Sequence, residues 1–166
     1  MQEDDRALLF GVFNEIAIID QLGRAQLEAT LPKGLIAAHF TVLNHLMRVA
    51  DGRTPVELAR AFQLPKTSVT HTVGALAKRG LVDVRPNPND RRSKCVWLTD
   101  AGRKLRNDTI TAMAPDFAAL VAAIDPQKLL GILPVLRELR AFMDHRRNAE
   151  PPRDRPLDAT GTAPSG

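Results

Sequence analysis

The sequence predicts a mainly α-helical protein with one small β-hairpin. Three observations lead to this fold class. Apolar residues recur at helical spacing in long segments near both ends of the chain. The middle of the chain carries the start and stop signals of two short helices. After them, two runs rich in β-branched and aromatic residues, "LVDV" and "CVWL", flank the turn-forming stretch "RPNPND".

The segments near the ends of the chain are strongly apolar. Residues 4–30 include "LLFGVFNEIAIIDQL", a predicted helix with apolar residues around most of its circumference. Such a helix must bury two sides. A C-terminal helix is predicted to begin with Asp125 as cap and Pro126 as first residue. Its apolar stripe consists of Leu129, Ile132, Leu133, Leu136, Leu139, Phe142 and Met143.

A further helix is predicted in "LIAAHFTVLNHLM", and a long one in "DAGRKLRNDTITAMAPDFAALVAAI". The long helix contains Pro115, and the C-terminal helix contains Pro134. Because proline lacks the backbone N–H, we expect each residue to bend or break its helix.

Two short helices are predicted in the middle of the chain. The first begins with a capping box, in which Thr54 is the cap, Pro55 the first helical residue and Glu57 reaches back to the cap. The second is predicted from Pro65, in its first turn, to Gly80, which suits a left-handed C-cap. Each helix is too short to be stable alone, so both must pack against other elements.

The second short helix has two distinct faces. Val69, Val73 and Leu76 share one stripe, at 100° per residue. Opposite or beside them lie small and polar residues: Thr67, Ser68, Thr70, His71, Gly74, Ala75 and Lys78. Such a face suits the major groove of DNA, where hydroxyls, an imidazole and methyl groups reach base edges. The alternative interpretation is a surface helix of low charge.

Positive charge is concentrated in one third of the chain. The whole chain has a net charge of +4, but residues 53–106 contain 12 Lys/Arg against 4 Asp/Glu. A local excess of this size is typical of a surface that binds a polyanion. The predicted hairpin contributes a long basic tip, "NPNDRRSK", with Arg91, Arg92 and Lys94 next to Asp90. The alternative interpretation is a solvated surface loop.

The stretch "TPVELARAFQLPKTSVTHTVGALAKRGLVDVRPNPNDRRSKCVWLTDAGRKL" combines these features in one order: a helix, a turn, a helix with a polar outer face, and a basic hairpin. This order describes a winged helix-turn-helix. The stretch resembles the MarR (multiple antibiotic resistance regulator) family of transcription factors. The shared features are "ELA" in the first helix, "SVT" and "KRGLV" in the second, and "DRR" followed by "LT" in the wing. The resemblance covers residues 35–112 in detail.

This resemblance implies a dimeric, sequence-specific DNA-binding regulator, in particular a repressor released from a pseudo-palindromic operator by a small molecule. Residues expected to meet DNA are Lys66, Thr67, Ser68, Thr70, His71, Lys78, Asp90, Arg91, Arg92 and Lys94. We expect the carboxylate of Asp90 to orient the guanidinium of Arg92, a pairing that the resemblance also implies. His39 is either a ligand contact or a structural histidine, because relatives bind aromatic acids near this helix. A competing class is a protein-interaction module, since winged helices also bind proteins.

Other chemistry finds little support in the sequence. A single cysteine, Cys95, excludes an internal disulfide, and the four histidines lack metal-ligand spacing, so we predict no enzyme activity, no metal and no cofactor. Cys95 is expected to be a half-buried structural thiol on a wing strand. The N-terminal "MQEDDR" is acidic where a signal peptide is basic, and no apolar run reaches a membrane span, so we expect a cytoplasmic protein.

The predicted organisation has four parts. Residues 1–33 form an N-terminal dimerisation helix, 34–112 the winged helix-turn-helix lobe, and 113–147 C-terminal dimerisation helices. Residues 148–166, rich in Pro, Gly and charge, are expected to be a disordered tail. An alternative to the dimerisation helices is an intramolecular helical cap.

Overall fold

The computed structural model describes residues 3–149 and divides the chain into two compact units between Phe117 and Ala118. The predicted tail beyond residue 149 lies outside the described residues. The elements are α1 (Glu3–Thr30), α2 (Ala37–Arg48), α3 (Pro55–Phe62), α4 (Lys66–Lys78), β1 (Val82–Asn87), β2 (Asp90–Leu98), α5 (Asp100–Ala112), α6 (Ala114–Ala123) and α7 (Pro126–Ala149). The predicted fold class, mainly α with one hairpin, is therefore confirmed.

The core of the first unit lies among α2, α3, α4, α5 and the hairpin. Its buried apolar residues are Leu35, Val42, Leu43, Leu46, Leu58, Ala59, Val69, Val73, Leu76, Leu81, Val82, Val96 and Leu98. The inner stripe of α4 is the one that helical spacing predicted, because Val69, Val73 and Leu76 are all buried. Burial of this stripe fixes which face of α4 points outward.

The ends of α3 and α4 follow local capping rules. The Glu57 N–H donates to Thr54 Oγ1 at 3.2 Å, and the Thr54 N–H donates to Glu57 Oε2 at 2.7 Å, which completes the predicted capping box. Pro65 is the cap of α4 rather than its first helical residue, because its ψ of 140° is extended while its carbonyl already accepts from the Val69 N–H. Gly80 has a φ of 68°, as a left-handed cap requires.

The hairpin differs from the predicted one in the length of its strands. β1 and β2 pair antiparallel from Val82 opposite Leu98 to Asn87 opposite Asp90, so only two residues form the turn. The long basic tip was therefore a wrong prediction, and the basic residues lie within β2. The pairing shifts between Pro86 and Asn87, which leaves residues 91–93 as an irregular stretch of β2.

The remaining helices bear out most of the sequence interpretation. The predicted long helix is broken into α5 and α6 at Met113, next to Pro115. Asp125 caps α7, since its Oδ1 accepts from the Gln127 N–H at 2.9 Å. Pro134 does not break α7, which continues through it because proline removes only one bond of the helical ladder.

Within residues 3–149, no single helix is long and apolar enough to cross a membrane. The segments Asp100–Ala123 and Pro126–Arg147 reach that length and composition only when they are taken together as a bent pair.

Candidate nucleic-acid interface

The outer face of α4 presents the side chains that the sequence singled out. Burial of the inner stripe turns six candidate residues to solvent, and all six are exposed: Lys66, Thr67, Ser68, Thr70, His71 and Lys78. Gly74 and Ala75 lie between them and lack long side chains. The face is therefore indented, with a shallow concavity of about 700 Å³ lined by Lys66, Thr67, Thr70, His71, Gly74, Ala75 and Lys78.

One hydroxyl of this face is partly engaged by the helix itself. Thr70 Oγ1 donates to the carbonyl of Lys66 at 2.9 Å. The hydroxyl proton is therefore occupied, and the Thr70 oxygen remains available as an acceptor. No hydrogen bond within the described part of the chain involves the side chains of Thr67, Ser68 or His71.

Asp90 orders the wing through its backbone. Asp90 Oδ1 accepts from the backbone N–H of Arg92 at 3.0 Å, and Ser93 Oγ donates to the Asp90 carbonyl at 3.1 Å. The expected ion pair with the Arg92 guanidinium is absent from residues 3–149, so that prediction was wrong. The reason is local: the carboxylate is close enough to the second following N–H to form a turn-like bond.

The same bonds leave the cations of the wing pointing into solvent. Arg91, Arg92 and Lys94 are all exposed on β2. On the opposite strand, Asn87 Nδ2 donates to Ser93 Oγ at 2.9 Å and so ties the two strands together beside the turn. Strand β2 therefore presents the guanidinium groups of Arg91 and Arg92 and the ammonium group of Lys94, with no ion-pair partner among residues 3–149, on an ordered backbone.

Asp51 anchors the base of the wing and was missed by the sequence interpretation. Its Oδ1 accepts from the backbone N–H of Leu98 at 2.8 Å and from that of Gly52 at 3.0 Å. Its Oδ2 accepts from Arg103 on α5 at 2.9 Å. The dipeptide Asp51-Gly52 is a turn signal in the sequence, but its long-range partners are not encoded locally.

The basic residues of 53–106 fall into two groups. Arg53, Arg85, Arg103 and Lys104 form ion pairs with Glu57, Asp83, Asp51 and Asp108. Arg79 donates to the Lys33 carbonyl, and Arg106 donates through two nitrogens to Asn44 Oδ1. The side chains without such a partner in residues 3–149 are Arg60, Lys66, Lys78, Arg91, Arg92 and Lys94. Five of these six lie on the outer face of α4 or on the wing.

His39 caps the start of α2 through its side chain. It is 9 % exposed, and its Nδ1 accepts from the backbone N–H of Ile36 at 3.0 Å, as the third residue of a capping box does. Burial, and then the nearby charges of Arg79 and His71, lower the pKa of His39 from its usual value of 6.5. The imidazole is therefore neutral at pH 7, which keeps Nδ1 able to accept.

Cys95 is fully buried at 5 % exposure, which is deeper than the half-buried position expected from the sequence. It lies on β2 opposite Arg85 in the strand register. Its neighbour Trp97 lies under Arg85, whose guanidinium carbon is 6.0 Å from the ring centroid. Because Trp97 is the one tryptophan of the chain, its fluorescence reports on the base of the wing.

The helix-turn-helix and the first part of the wing are similar in sequence to a known protein family. Residues 33–93, which run from the approach to α2 into the wing, match the sequence profile of the MarR family. Over these residues the chain is similar to the MarR family of regulators. The resemblance found in the helix-turn-helix and wing motifs is thereby confirmed.

Three similar proteins illustrate the relationship. The transcriptional activatory protein BadR of Rhodopseudomonas palustris is 32 % identical over 98 residues, which are 58 % of this chain and 54 % of BadR. The match thus spans about half the length of that relative. A MarR regulator of Methanosarcina mazei has the same fold, with a TM-score of 0.71, 22 % identity and coverage of 80 % of this chain and 97 % of that one. BpsR of Bordetella bronchiseptica has a TM-score of 0.67 and 25 % identity, with coverage of 78 % of this chain and 98 % of BpsR.

Proposed function

We propose that this protein is a sequence-specific DNA-binding transcriptional regulator that acts as a homodimer on a pseudo-palindromic operator. The observation that carries the proposal is the distribution of unpaired cations. Six of the twelve basic side chains of residues 53–106 are ion-paired or hydrogen-bonded within the chain. By contrast, Lys66 and Lys78 on α4 and Arg91, Arg92 and Lys94 on β2 are exposed and have no partner within the described residues. Such groups gain most from phosphate, because nothing within the described part of the chain competes for them.

The outer face of α4 is proposed to enter the major groove. Its short side chains, Thr67, Ser68, Thr70 and His71, are suited to base edges. Hydroxyls and imidazole both donate and accept hydrogen bonds, although Thr70 Oγ1 already donates within the helix and can only accept. Lys66 and Lys78 lie at the two ends of this face and are proposed to meet phosphates. A helix with long acidic and basic side chains would not come as close to the bases.

The wing is proposed to contact the DNA beside α4. Arg92 is assigned to the minor groove, where a narrow, negative groove attracts a guanidinium group. Arg91 and Lys94 are assigned to the flanking backbone. Asp90 contributes indirectly, because its bond to the Arg92 N–H holds the backbone from which these side chains extend.

Dimerisation is proposed to use the apolar surfaces of the terminal helices. No residue of α1 is buried, although many of its residues are apolar. Phe10, Ile19 and Leu22, for example, are 78 %, 65 % and 64 % exposed. Apolar residues of α7, among them Ile132 and Phe142, are also exposed. Exposure on this scale is typical of a surface that a second subunit covers. A two-fold dimer would present its α4 helices to successive major grooves about 34 Å apart.

Regulation by a small aromatic acid is proposed from the relatives. For the Bordetella bronchiseptica BpsR, 6-hydroxynicotinic acid regulates DNA binding. His39 is the candidate contact in this chain, through its Nε2, since its Nδ1 is already engaged with Ile36. We propose repression with release by ligand; the name of BadR, an activatory protein, shows that a relative works in the other direction.

We further propose that the protein is not an enzyme and that it works in the cytoplasm, where its DNA partner is found. The alternative, a protein-interaction module without DNA binding, is less consistent with five exposed, unpaired cations on two adjacent elements. The family match also favours the regulator over this alternative.

Selection of binding sites from random DNA with the full chain tests the proposal. The expected result is a pseudo-palindrome with half-site centres about 10 base pairs apart. If four cations of each subunit meet phosphates, the logarithm of operator affinity falls with the logarithm of salt concentration with a slope of about −7. Lys66→Ala and Lys94→Ala are each expected to reduce this slope by about two units per dimer.

Lys104→Ala is the matched control. This lysine lies in the same basic segment, but Asp108 neutralises it at 2.6 Å on α5. Its removal is expected to leave the slope unchanged. Failure to enrich any sequence, or equal slopes for the Lys66, Lys94 and Lys104 variants, would refute the assignment of α4 and the wing to DNA.

A further inference from the structure

Gly74 occupies a position in α4 that the fold does not require to be glycine. A glycine inside a helix destabilises it relative to alanine, because the unfolded chain has more freedom to lose. A Cβ added at Gly74 would meet no atom within 4 Å beyond the adjacent helical backbone. Gly102 on α5 is the opposite case, since a Cβ there would overlap the Leu81 carbonyl. Packing therefore explains why residue 102 is a glycine, but it does not explain why residue 74 is one.

The position of Gly74 makes this absence of a side chain useful to a ligand. Val69, Val73 and Leu76 point into the core, so Gly74 lies on the outer side of the helix, one turn from Thr70 and one turn from Lys78. Gly74 lines the concavity on this face, and the missing side chain leaves the concavity open at that point. Thr70 and Ala75 also line the concavity, and each side chain carries a methyl group.

We infer that Gly74 is a specificity-determining residue, whose missing side chain leaves a notch that receives the 5-methyl group of a thymine in each half-site. This inference rests on the proposed function, because it needs α4 in the major groove. The thymine methyl is the one apolar group that base pairs present there, and it projects toward the protein. A notch that has open space for a Cβ, beside Thr70 and Ala75, can receive an apolar group of this size.

The inference predicts opposite effects of one substitution on stability and on binding. Gly74→Ala fills the notch with a methyl group that has free space in the unbound protein. It is expected to lower the unfolding equilibrium constant about five-fold, as for an exposed helical site. The same methyl group would collide with the thymine methyl, so operator affinity is expected to fall about ten-fold or more for the two half-sites.

Thr72→Ala is the matched control on the same helix. Among the described residues, the Thr72 hydroxyl bonds only to the Ser68 carbonyl of its own helix, at 3.0 Å, and alanine also raises helix propensity there. It adds nothing to the notch, so it is expected to leave operator affinity unchanged. Binding is measured by fluorescence anisotropy on the selected operator, and stability by urea unfolding.

Deoxyuridine substitution supplies the complementary change on the DNA. Each thymine of the operator is replaced in turn, which removes one methyl group. In the wild type, one position per half-site is expected to lose affinity about four-fold, the value of one buried methyl group. In Gly74→Ala, deoxyuridine at that same position in both half-sites is expected to restore most of the lost affinity, because the alanine methyl group then meets no thymine methyl group.

The possible outcomes separate this inference from the proposed function. Unchanged operator affinity in Gly74→Ala overturns the inference while DNA binding stands. A loss of affinity that no deoxyuridine position relieves also overturns it, because the glycine then faces something other than a methyl group. A wild-type protein that selects no DNA refutes the proposed function and the inference together.

Discussion

Replacement of Asp51 tests how the wing is attached to the rest of the first unit. In β2, the N–H groups of Val96 and Leu98 point the same way, because strand residues alternate with a period of two. The Val96 N–H donates to the Arg53 carbonyl at 2.8 Å, on the side away from β1. The Leu98 N–H therefore also points away from β1, and Asp51 Oδ1 is its acceptor at 2.8 Å.

The three bonds of Asp51 differ in what their loss would cost. The Gly52 N–H also donates to the Val96 carbonyl at 3.0 Å, so it keeps a partner without Asp51. Leu98 is 7 % exposed, and its N–H would be left unsatisfied, at a cost of about 1–3 kcal/mol. The ion pair with Arg103, whose side chain is 43 % exposed, is screened by solvent and contributes less than about 1 kcal/mol.

Asp51→Ala is therefore expected to reduce the free energy of unfolding by about 2–3 kcal/mol. Asp51→Asn keeps an oxygen for the Leu98 N–H and loses the ion pair with Arg103, so its cost is expected to stay below about 1 kcal/mol, like that of Arg103→Gln. Urea unfolding at one fixed protein concentration measures all three, with Trp97 fluorescence as a local probe. If Asp51→Asn proves as destabilising as Asp51→Ala, the ion pair and not the backbone bond holds the wing, and this reasoning fails.

Three further predictions concern the wing, the start of α2 and the dimer. Asp90→Ala frees the Arg92 N–H and is expected to weaken operator binding about three-fold or more despite removing a negative charge, whereas Asp90→Asn keeps the acceptor and binds normally; tighter binding by Asp90→Ala in an anisotropy titration would contradict this. The lowered pKa of His39 means that the unfolded chain binds more protons below pH 6.5, so stability is full above that pH and falls as the pH drops below it. His39→Gln keeps the capping bond and is expected to remove part of this loss of stability in acid, by at most about 1.4 kcal/mol per pH unit. The remaining loss is expected from His45, whose pKa is also lowered by burial and by Arg53. An unchanged pH profile of urea unfolding would rule out the titration of His39. Phe10→Asp on α1 is expected to dissociate the dimer, since two-fold symmetry doubles a loss of about 2–3 kcal/mol per phenylalanine, and sedimentation of a variant that remains dimeric would exclude this face from the interface.

Features set by neighbours in the chain could be predicted from the sequence. The capping box of Thr54 and Glu57, the left-handed Gly80 and the inward stripe of α4 all depend on residues within one helical turn of each other. Their physics is therefore visible as spacing in the sequence. The local excess of positive charge and the family motifs were also present in the sequence as it stands. Together they sufficed for the fold class, and the assignment of α4 and the wing to DNA stays a prediction.

Contacts between distant residues were decided only by the tertiary structure. Asp51 meets Arg103, 52 positions away, and Asn44 meets Arg106, 62 positions away, and neither spacing carries a local signal. The first contact neutralises Arg103 and the second engages Arg106, whereas the other ion pairs of residues 53–106 join residues at most four positions apart. The structure likewise decided the partner of Asp90. The sequence allowed its carboxylate to accept from either the backbone N–H or the guanidinium of Arg92, and the folded hairpin places the N–H beside it. The sequence gives the number of charged residues, whereas only the folded backbone brings a donor next to an acceptor that is distant in the chain.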